Sequence, residues 1–388
     1  MDIVIVAQYI LDITTSEDLN SRFVYLANML KENHAVEIVT SDFIHGKKEH
    51  VKPVTEFRGI KITMLHEAGY KKNICLRRFV SHAELAQNIS KYLKSRKKPD
   101  VVYCAIPSTD VAASVARYCN KNNVKFIIDV QDLWPEAFKM VFNVPPFSDV
   151  IYYPLIRKAN QVYKYADAIV AVSKTYLNRA RSINKNAKSE VVFLGTDKEQ
   201  FDKNRGKHEK SNVLKIVYIG SLEKSYDLPT AIQAVSMCEN TQLVVIGEGS
   251  RRNELEAFAK SNKANCVFLG YLPYGEMITQ MSKCNIAINP IRKGSAGSII
   301  NKVGDYAMAG LPVINTQESE EYRALIDEYK CGINCGCENV EAVIAAINIL
   351  VHDKELRTQM SYQSRTLGEN LFARESTYQK IVDLIENI

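Results

Sequence analysis

Ser298, Lys302 and Asp305 place a hydroxyl, an ammonium and a carboxylate at spacings of four and three, so a helix puts them on one face. They lie in Ser295–Thr316, SAGSIINKVGDYAMAGLPVINT, where small residues precede a helical pattern and Ala-Gly-Leu-Pro leads into a strand. A helix N-terminus offers unpaired amides and a positive dipole end, which bind phosphate. Gly297 lets a phosphate approach the backbone. Ser298 and the helix N-terminal amides can hold it, Lys302 can neutralise a diphosphate, and Asp305 can accept two hydrogen bonds from ribose hydroxyls. An N-capping serine ahead of a surface Lys–Asp pair has the same spacing, and spacing alone does not separate the two.

Two further stretches carry chemistry. In Ile216–Asp227, IVYIGSLEKSYD, a strand runs into Gly220 and Ser221, with Lys224 shortly after. Gly220 suits a tight turn whose amides face a phosphate. In Ile128–Asn143, IDVQDLWPEAFKMVFN, a strand ends at Val130 and Asp132, Trp134, Pro135 and Glu136 follow. A Trp face packs on a sugar ring, and a carboxylate positions or deprotonates a hydroxyl. Pro135 with Glu136 is equally an ordinary helix start.

The elements that must position these residues alternate in type. Ile3–Ala7, Val36–Thr40, Ile60–Leu65, Val101–Ile106, Phe126–Val130, Ile169–Val172 and Val191–Leu194 read as β-branched, continuously apolar strands covered on both faces. Asn20–Lys31, Arg78–Lys94, Val111–Lys121 and Ile156–Tyr165 read as the helices between them. Asp197–Asn212, charged and nearly free of aliphatic residues, reads as a linker. A second series then follows: strands Ile216–Ile219, Leu243–Ile246, Val267–Leu269, Ile286–Asn289 and Val313–Asn315, and helices Pro229–Ser236, Arg251–Lys260, Gly275–Met281, Asn301–Met308 and Val340–Val351. The expectation is α/β: two Rossmann-like doubly wound parallel-sheet domains facing a cleft, 1–196 and 213–388, joined by 197–212. The last helix, about 366–388, is expected to pack back on the N-terminal domain.

Composition agrees with a soluble globular chain. Of 388 residues, 46% are hydrophobic and 24% charged, which excludes a disordered or collagen-like chain. No apolar run is long enough to span a bilayer, and Asp2 stands where a signal peptide needs positive charge. Nine cysteines without even spacing fit reduced thiols in a cytosol. Cys331, Cys335 and Cys337 lack the fourth ligand of a structural zinc site and read as a Gly-rich loop. The net charge of +6 is uneven: residues 1–195 hold 28 Lys/Arg and 19 Asp/Glu, against 22 and 25 in the rest. A basic first half suits an anionic partner, or a solvated surface. No nucleic-acid recognition motif appears.

Taken in order, these stretches resemble the family 4 retaining glycosyltransferases of GT-B fold, and among them the bacterial subgroup that builds capsule and O-antigen polysaccharides. Asp132-Leu-Trp-Pro-Glu136 is similar to that subgroup's DLWPE-type loop. Ala166–Ser173 (ADAIVAVS), Leu194-Gly-Thr-Asp197 with Phe201, Val267–Pro273 (VFLGYLP) and Lys302–Ile314 resemble further family segments. The resemblance covers nearly the whole chain. It departs where the family carries two glutamates eight residues apart, which here are Gly297 and Asp305, and where Ser221 replaces an Arg or Asn.

The resemblance implies transfer of a hexosyl or N-acetylhexosaminyl group (EC 2.4), with retention, from a nucleotide-diphosphate sugar, UDP by family habit. The acceptor is a polyprenyl-diphosphate-linked saccharide, in cell-surface polysaccharide synthesis. It implies no cofactor and no metal. Donor binding falls to Gly220, Ser221, Lys224, Tyr271, Leu272, Ala296, Gly297, Ser298, Lys302 and Asp305. Catalytic candidates are Asp132, Glu136 and Lys302, and acceptor candidates are Trp134, Arg77 and Arg78. Lys71 and Lys72, and the mixed aromatic and basic segment Phe147–Tyr165, suit a peripheral place on the inner face of the cell membrane, from the cytoplasm. A nucleotide-sugar epimerase and a non-catalytic nucleotide-sugar-binding protein are the rival readings.

Overall fold

The computed structural model describes residues 1–10, 13–14, 21–73, 75–136, 148–206, 213–295 and 298–388. It divides into two units: Met1–Val192 with Tyr378–Ile388, and Phe193–Thr377.

In unit 1, strands β1 (Asp2–Val6), β2 (Ala35–Ser41), β3 (Phe43–Ile44), β4 (Glu49–His50), β5 (Glu56–Phe57), β6 (Ile60–Leu65), β7 (Val101–Ile106), β8 (Lys125–Val130), β9 (Ala168–Ala171) and β10 (Lys188–Val191) follow in chain order. The main sheet runs β10-β9-β8-β7-β1-β2-β6-β5 and is parallel except for β5. Alternate residues of β1 feed opposite cores. Val4 and Val6 pack with Leu85, Ile89, Val115 and Val162 from helices on one face, whereas Ile3 and Ile5 pack with Phe23 and Leu26 on the other. The order reverses at β1, which lies between β2 and β7, so this sheet has its switch point at the carboxyl end of β1. β3 and β4 form a separate antiparallel hairpin.

In unit 2, β11 (Leu214–Ile219), β12 (Thr241–Ile246), β13 (Cys266–Gly270), β14 (Ile286–Asn289), β15 (Val313–Asn315) and β16 (Gly332–Asn334) form a parallel sheet of order β13-β12-β11-β14-β15-β16. Its switch point lies between β11 and β14. The helix Lys302–Ala309 is fixed there: the Tyr306 hydroxyl accepts from the Ile219 amide at 3.0 Å and donates to the Ile288 carbonyl at 3.2 Å.

Several expectations need correction. The seventh strand is Lys188–Val191, not Val191–Leu194, because an edge strand pairs on one side only and tolerates polar residues. Within 197–212, Lys198–Asn204 is a helix capped by Asp197, whose carboxylate accepts from the Gln200 amide, and Phe201 is buried. Residues 207–212 lie outside the described residues. The first unit ends at Val192, since Phe193 packs on Phe372 and the Thr196 amide donates to the Phe372 carbonyl at 2.7 Å. Chain 366–377 stays in unit 2, and only Tyr378–Ile388 joins unit 1. There Ile381, Val382, Leu384 and Ile385 enter the core with Ile3 and Ile5, and the Tyr378 hydroxyl accepts from buried Arg22. Gly332–Asn334, expected in a loop, is strand β16. All nine cysteines are free thiols. No helix among the described residues is long and apolar enough to cross a membrane.

Candidate functional site

The carboxyl end of β11 runs into Gly220, with φ +127°, and β12 ends at Gly247, with φ +144°. These loops touch: a Cβ on Gly247 would lie 1.9 Å from the Gly220 carbonyl oxygen. The Gly220 amide donates to the Ile246 carbonyl at 2.9 Å. A Cβ on Gly220 would lie 2.7 Å from Nζ of Lys302, so the glycine makes room for the ammonium.

Lys302 is buried, and its Nζ has no hydrogen-bond partner among the described residues. It rests on two aromatic faces, 4.1 Å from the Tyr218 ring centroid and 3.8 Å from that of Tyr226. Burial holds its pKa well below the ordinary lysine value. Ser298 is buried too, and its hydroxyl has no partner among the described residues. Its carbonyl accepts from Gln317, part of an amide network at the ends of β14 and β15 in which Asn289 donates to Asn315 at 2.9 Å.

Ser298 precedes the helix, whose N-cap is Asn301, so the shared helix face predicted for Ser298, Lys302 and Asp305 does not form. Asp305 lies in the first turn but meets other neighbours. Its Oδ1 accepts from Thr196 Oγ1 at 2.9 Å and from the Tyr274 hydroxyl at 2.7 Å. Burial raises its pKa against the pull of these bonds. Ser221, Lys224 and Tyr271 are exposed and Leu272 is half-buried. Ala296 and Gly297 lie outside the described residues, as does the Phe147 end of the predicted interfacial segment. The sequence reading missed Tyr218, Tyr226, Tyr274 and Thr196. Each sits in a segment that also reads as ordinary core or loop.

Unit 1 gathers a second cluster beyond the carboxyl ends of its strands. Tyr9 follows β1, His45 and Lys48 sit in the β3–β4 hairpin, Tyr70 follows β6 and Trp134 follows β8. Arg78 and His82 come from the helix Leu76–Ser95. The Arg78 guanidinium lies 4.5 Å from the Trp134 ring centroid and 5.4 Å from that of Tyr70. It donates to the Tyr9 hydroxyl at 3.0 Å and to the Asn73 carbonyl at 2.9 Å. Burial, then the nearby cations Lys48 and Arg78, depress His45 to about 4. Burial, then Arg78 and His45, depress His82 to about 3. Burial and Arg78 lower Lys48 to about 8. At neutral pH the cluster therefore carries the charges of Lys48 and Arg78, and both imidazoles are neutral. Neither cation has a carboxylate partner among the described residues.

The remaining candidates in unit 1 are held by local bonds. Asp132 accepts from the Leu133 amide at 2.9 Å through Oδ1 and from Trp134 Nε1 at 3.1 Å through Oδ2, so it orients the indole. Its pKa is raised by burial. Glu136 pairs through Oε1 with Arg179, which stacks on Tyr163. Arg77 clamps its own loop, donating to the Gly69 carbonyl at 3.0 Å and the Ala68 carbonyl at 3.3 Å. For a metal, the ligand atoms of Asp42, His50 and His66 lie within 4.8 Å of one another, a borderline-cation donor set whose mutual hydrogen bonds at 3.0 and 2.9 Å already account for its shape.

Residues 20–200 match the family described as Glycosyltransferase Family 4, and residues 197–367 match Glycosyl transferases group 1. No curated protein matches the sequence. Solved structures of similar fold include sucrose-phosphate synthase from Thermosynechococcus elongatus, with TM-score 0.77 and 13% identity over 99% of this chain and 98% of that one. Anabaena HepE, solved in complex with UDP, has TM-score 0.73 and 12% identity over 100% of both chains. WaaG, a glycosyltransferase involved in lipopolysaccharide biosynthesis, has TM-score 0.66 and 15% identity over 99% of both. The fold is GT-B.

Proposed function

For a chain that is a glycosyltransferase of the family 4 type, we propose transfer of a sugar from a nucleotide-diphosphate sugar, UDP-linked, to a lipid-diphosphate-linked saccharide in cell-surface polysaccharide synthesis. The observation that carries the donor half is the buried Lys302 amine, which has no hydrogen-bond partner among the described residues and is held against Gly220 at the switch point of unit 2. A cation without an acceptor is unfavourable where it stands, and a diphosphate is the anion that this position in an α/β sheet receives. HepE, of similar fold, has been solved with UDP and with UDP-glucose.

Lys302 and Ser298 meet the charge that develops on the leaving diphosphate, which is electrostatic stabilisation of the departing group. Asp305 offers its carboxylate to the ribose hydroxyls while Thr196 and Tyr274 fix its orientation. The acceptor hydroxyl attacks from the leaving-group side and passes its proton to a donor phosphate oxygen, giving retention without a protein nucleophile. No residue need supply a metal ligand for these steps. Trp134, oriented by Asp132 and backed by Arg78, offers unit 1's surface to the acceptor. The protein works at the cytoplasmic face of the membrane as a peripheral enzyme.

Thermal shift with UDP, GDP, ADP, CMP and dTDP tests the reading. A ligand at about 100 times its dissociation constant stabilises by about 2.7 kcal/mol. A UDP-selective rise of several degrees, lost in Asp305→Ala, is expected. No rise with any nucleotide would sink it. Isomerised donor in the absence of acceptor would point to an epimerase, and tight UDP binding without hydrolysis or transfer to a binding protein.

A further inference from the structure

Unit 2 holds a second cavity, of about 530 Å³, the size that takes a small molecule. Asn285 in its wall directly precedes β14 and Leu311 precedes β15, so it opens at the amino ends of these parallel strands. Gly220 lies at the other end of the sheet, past the carboxyl end of β11. Ala309 and Gly310 bring into the wall the C-terminus of the helix that begins with Lys302. Three cations line the cavity, Arg205, Lys354 and Arg357, and no carboxylate among the described residues does. Arg205 donates to the Ala309 carbonyl at 3.4 Å, and Arg357 to the carbonyls of Leu350 and Val351. These acceptors are neutral. Asp353, the acid whose field reaches Arg357, lies outside the lining, and its carboxylate accepts from the Leu356 amide at 2.8 Å. Burial pushes half-buried Arg357 below the ordinary arginine value. Lys354 is the first residue of the helix Lys354–Leu367, where the helix dipole disfavours a cation, so its own helix does not account for it.

Like charges gathered in one concave site without a counter-charge are complementary to an anion. The rest of the lining says which kind. Ser282, Asn285, Thr358 and Ser361 add hydroxyl and amide groups. Ser282 is buried, and its hydroxyl has no hydrogen-bond partner among the described residues. Guanidinium groups take phosphate oxygens through paired N–H donors, and hydroxyl and amide groups take the hydroxyls of a polyol. A nucleic acid would need cations strung along its backbone, whereas these three meet at one cavity. We propose that the cavity binds a small phosphorylated sugar or polyol, at a site separate from that of the nucleotide. Arg357 and Lys354 receive the phosphate, Arg205 closes the cation cluster, and the hydroxyl groups of the lining receive the carbon chain. The proposal stands apart from the donor reading, since it uses neither Lys302 nor Asp305.

Titration calorimetry of the full chain at constant ionic strength, with and without saturating UDP, tests this. The probes are glucose 6-phosphate, fructose 6-phosphate and glycerol 3-phosphate, with glucose and inorganic sulfate as controls. At least one ester is expected to bind at one site per chain, and to do so whether or not UDP is present. Glucose should not bind, and sulfate should bind at least about tenfold more weakly than the best ester. Lys354→Met/Arg357→Met should weaken that ester by about 100-fold or more, about tenfold for each charge-assisted contact removed. Arg357 also ties two backbone carbonyls, so Lys354→Met alone is the variant in which folding is not at issue: Lys354 is exposed, and its loss should cost about tenfold in ester affinity at an unchanged melting temperature. The UDP shift should survive in both variants. No binding by any of the three esters overturns the proposal, as does sulfate that binds as tightly as the best of them. Ester affinity equal in the parent and both variants overturns the assignment to these cations. Ester binding that UDP abolishes would place the ester in the donor site and overturn a separate one. Absence of a UDP shift in the parent would strike the donor reading and leave the titration without UDP to decide this one.

Discussion

Lys302 buries an amine that no neighbour among the described residues satisfies. The faces of Tyr218 and Tyr226 offset part of its lost hydration, but no oxygen of the described residues accepts from it. Replacing it with methionine keeps the shape and removes the unpaired amine, so the unliganded protein should be as stable as the parent or more so. UDP affinity should fall about 10- to 100-fold, the scale of a lost charge-assisted hydrogen bond. Titration calorimetry at several pH values adds a sign. The depressed pKa means that, up to the ordinary lysine value, the unfolded chain binds more protons than the folded one, so the stability of unliganded unit 2 rises with pH across that window. A diphosphate that draws out the ammonium restores its proton, so UDP binding should take up a proton and weaken as pH rises through the same window. Lys302→Met should show neither trend. UDP affinity independent of both pH and residue 302 would remove Lys302 from the site.

At the scale of elements, the long parallel strands were legible because burial on both faces demands continuous β-branched runs, as in Val101–Ile106. The two-residue strands β3 and β4 were not, since so short a hairpin has no period to read, yet it carries His45 and Lys48 to the unit 1 cluster. Gly220 and Lys302 were legible as types that bind phosphate. The cage was not: Tyr218 sits in an apolar strand pattern and reads as core, and only the packing of the helix Lys302–Ala309 against β11 turns its ring toward an ammonium. The glycine-to-glycine contact below the cage is a property of two elements. Gly247→Ala forces a methyl group to within 1.9 Å of the Gly220 carbonyl oxygen at a φ of +144°. Strain on the order of 1–3 kcal/mol is expected, with a displaced Gly220 loop and a diminished UDP shift. Gly336→Ala, where the nearest atom is 3.7 Å away, is the matched control and should change neither melting temperature nor UDP response. If Gly247→Ala binds UDP as the parent does, the Gly220 turn does not shape the donor site.

At the scale of the molecule, the chain leaves unit 1 at Val192 and returns to it at Tyr378, so unit 1 is completed only after the chain has passed through unit 2. Ile381, Val382, Leu384 and Ile385 are buried there, and the Tyr378 ring lies 4.8 Å from the Arg22 guanidinium, itself paired with buried Asp129 at 2.7 Å. Four such side chains at about 1.5–3 kcal/mol each amount to about 6–12 kcal/mol, as much as the whole stability of an ordinary domain. Deleting 378–388 also exposes the core face of Ile3 and Ile5. Unit 2 ends at Thr377 and loses nothing of its own. Calorimetry should therefore resolve two events, because two units with separate cores need not melt as one. In the intact chain UDP should raise the transition of unit 2 by several degrees. In the truncated chain the transition of unit 1 should vanish at 25 °C, while a UDP-responsive transition remains. A truncated chain that keeps its unit 1 transition would show that the returning helix is dispensable. One that loses the UDP response as well would show that the donor site depends on unit 1 being folded.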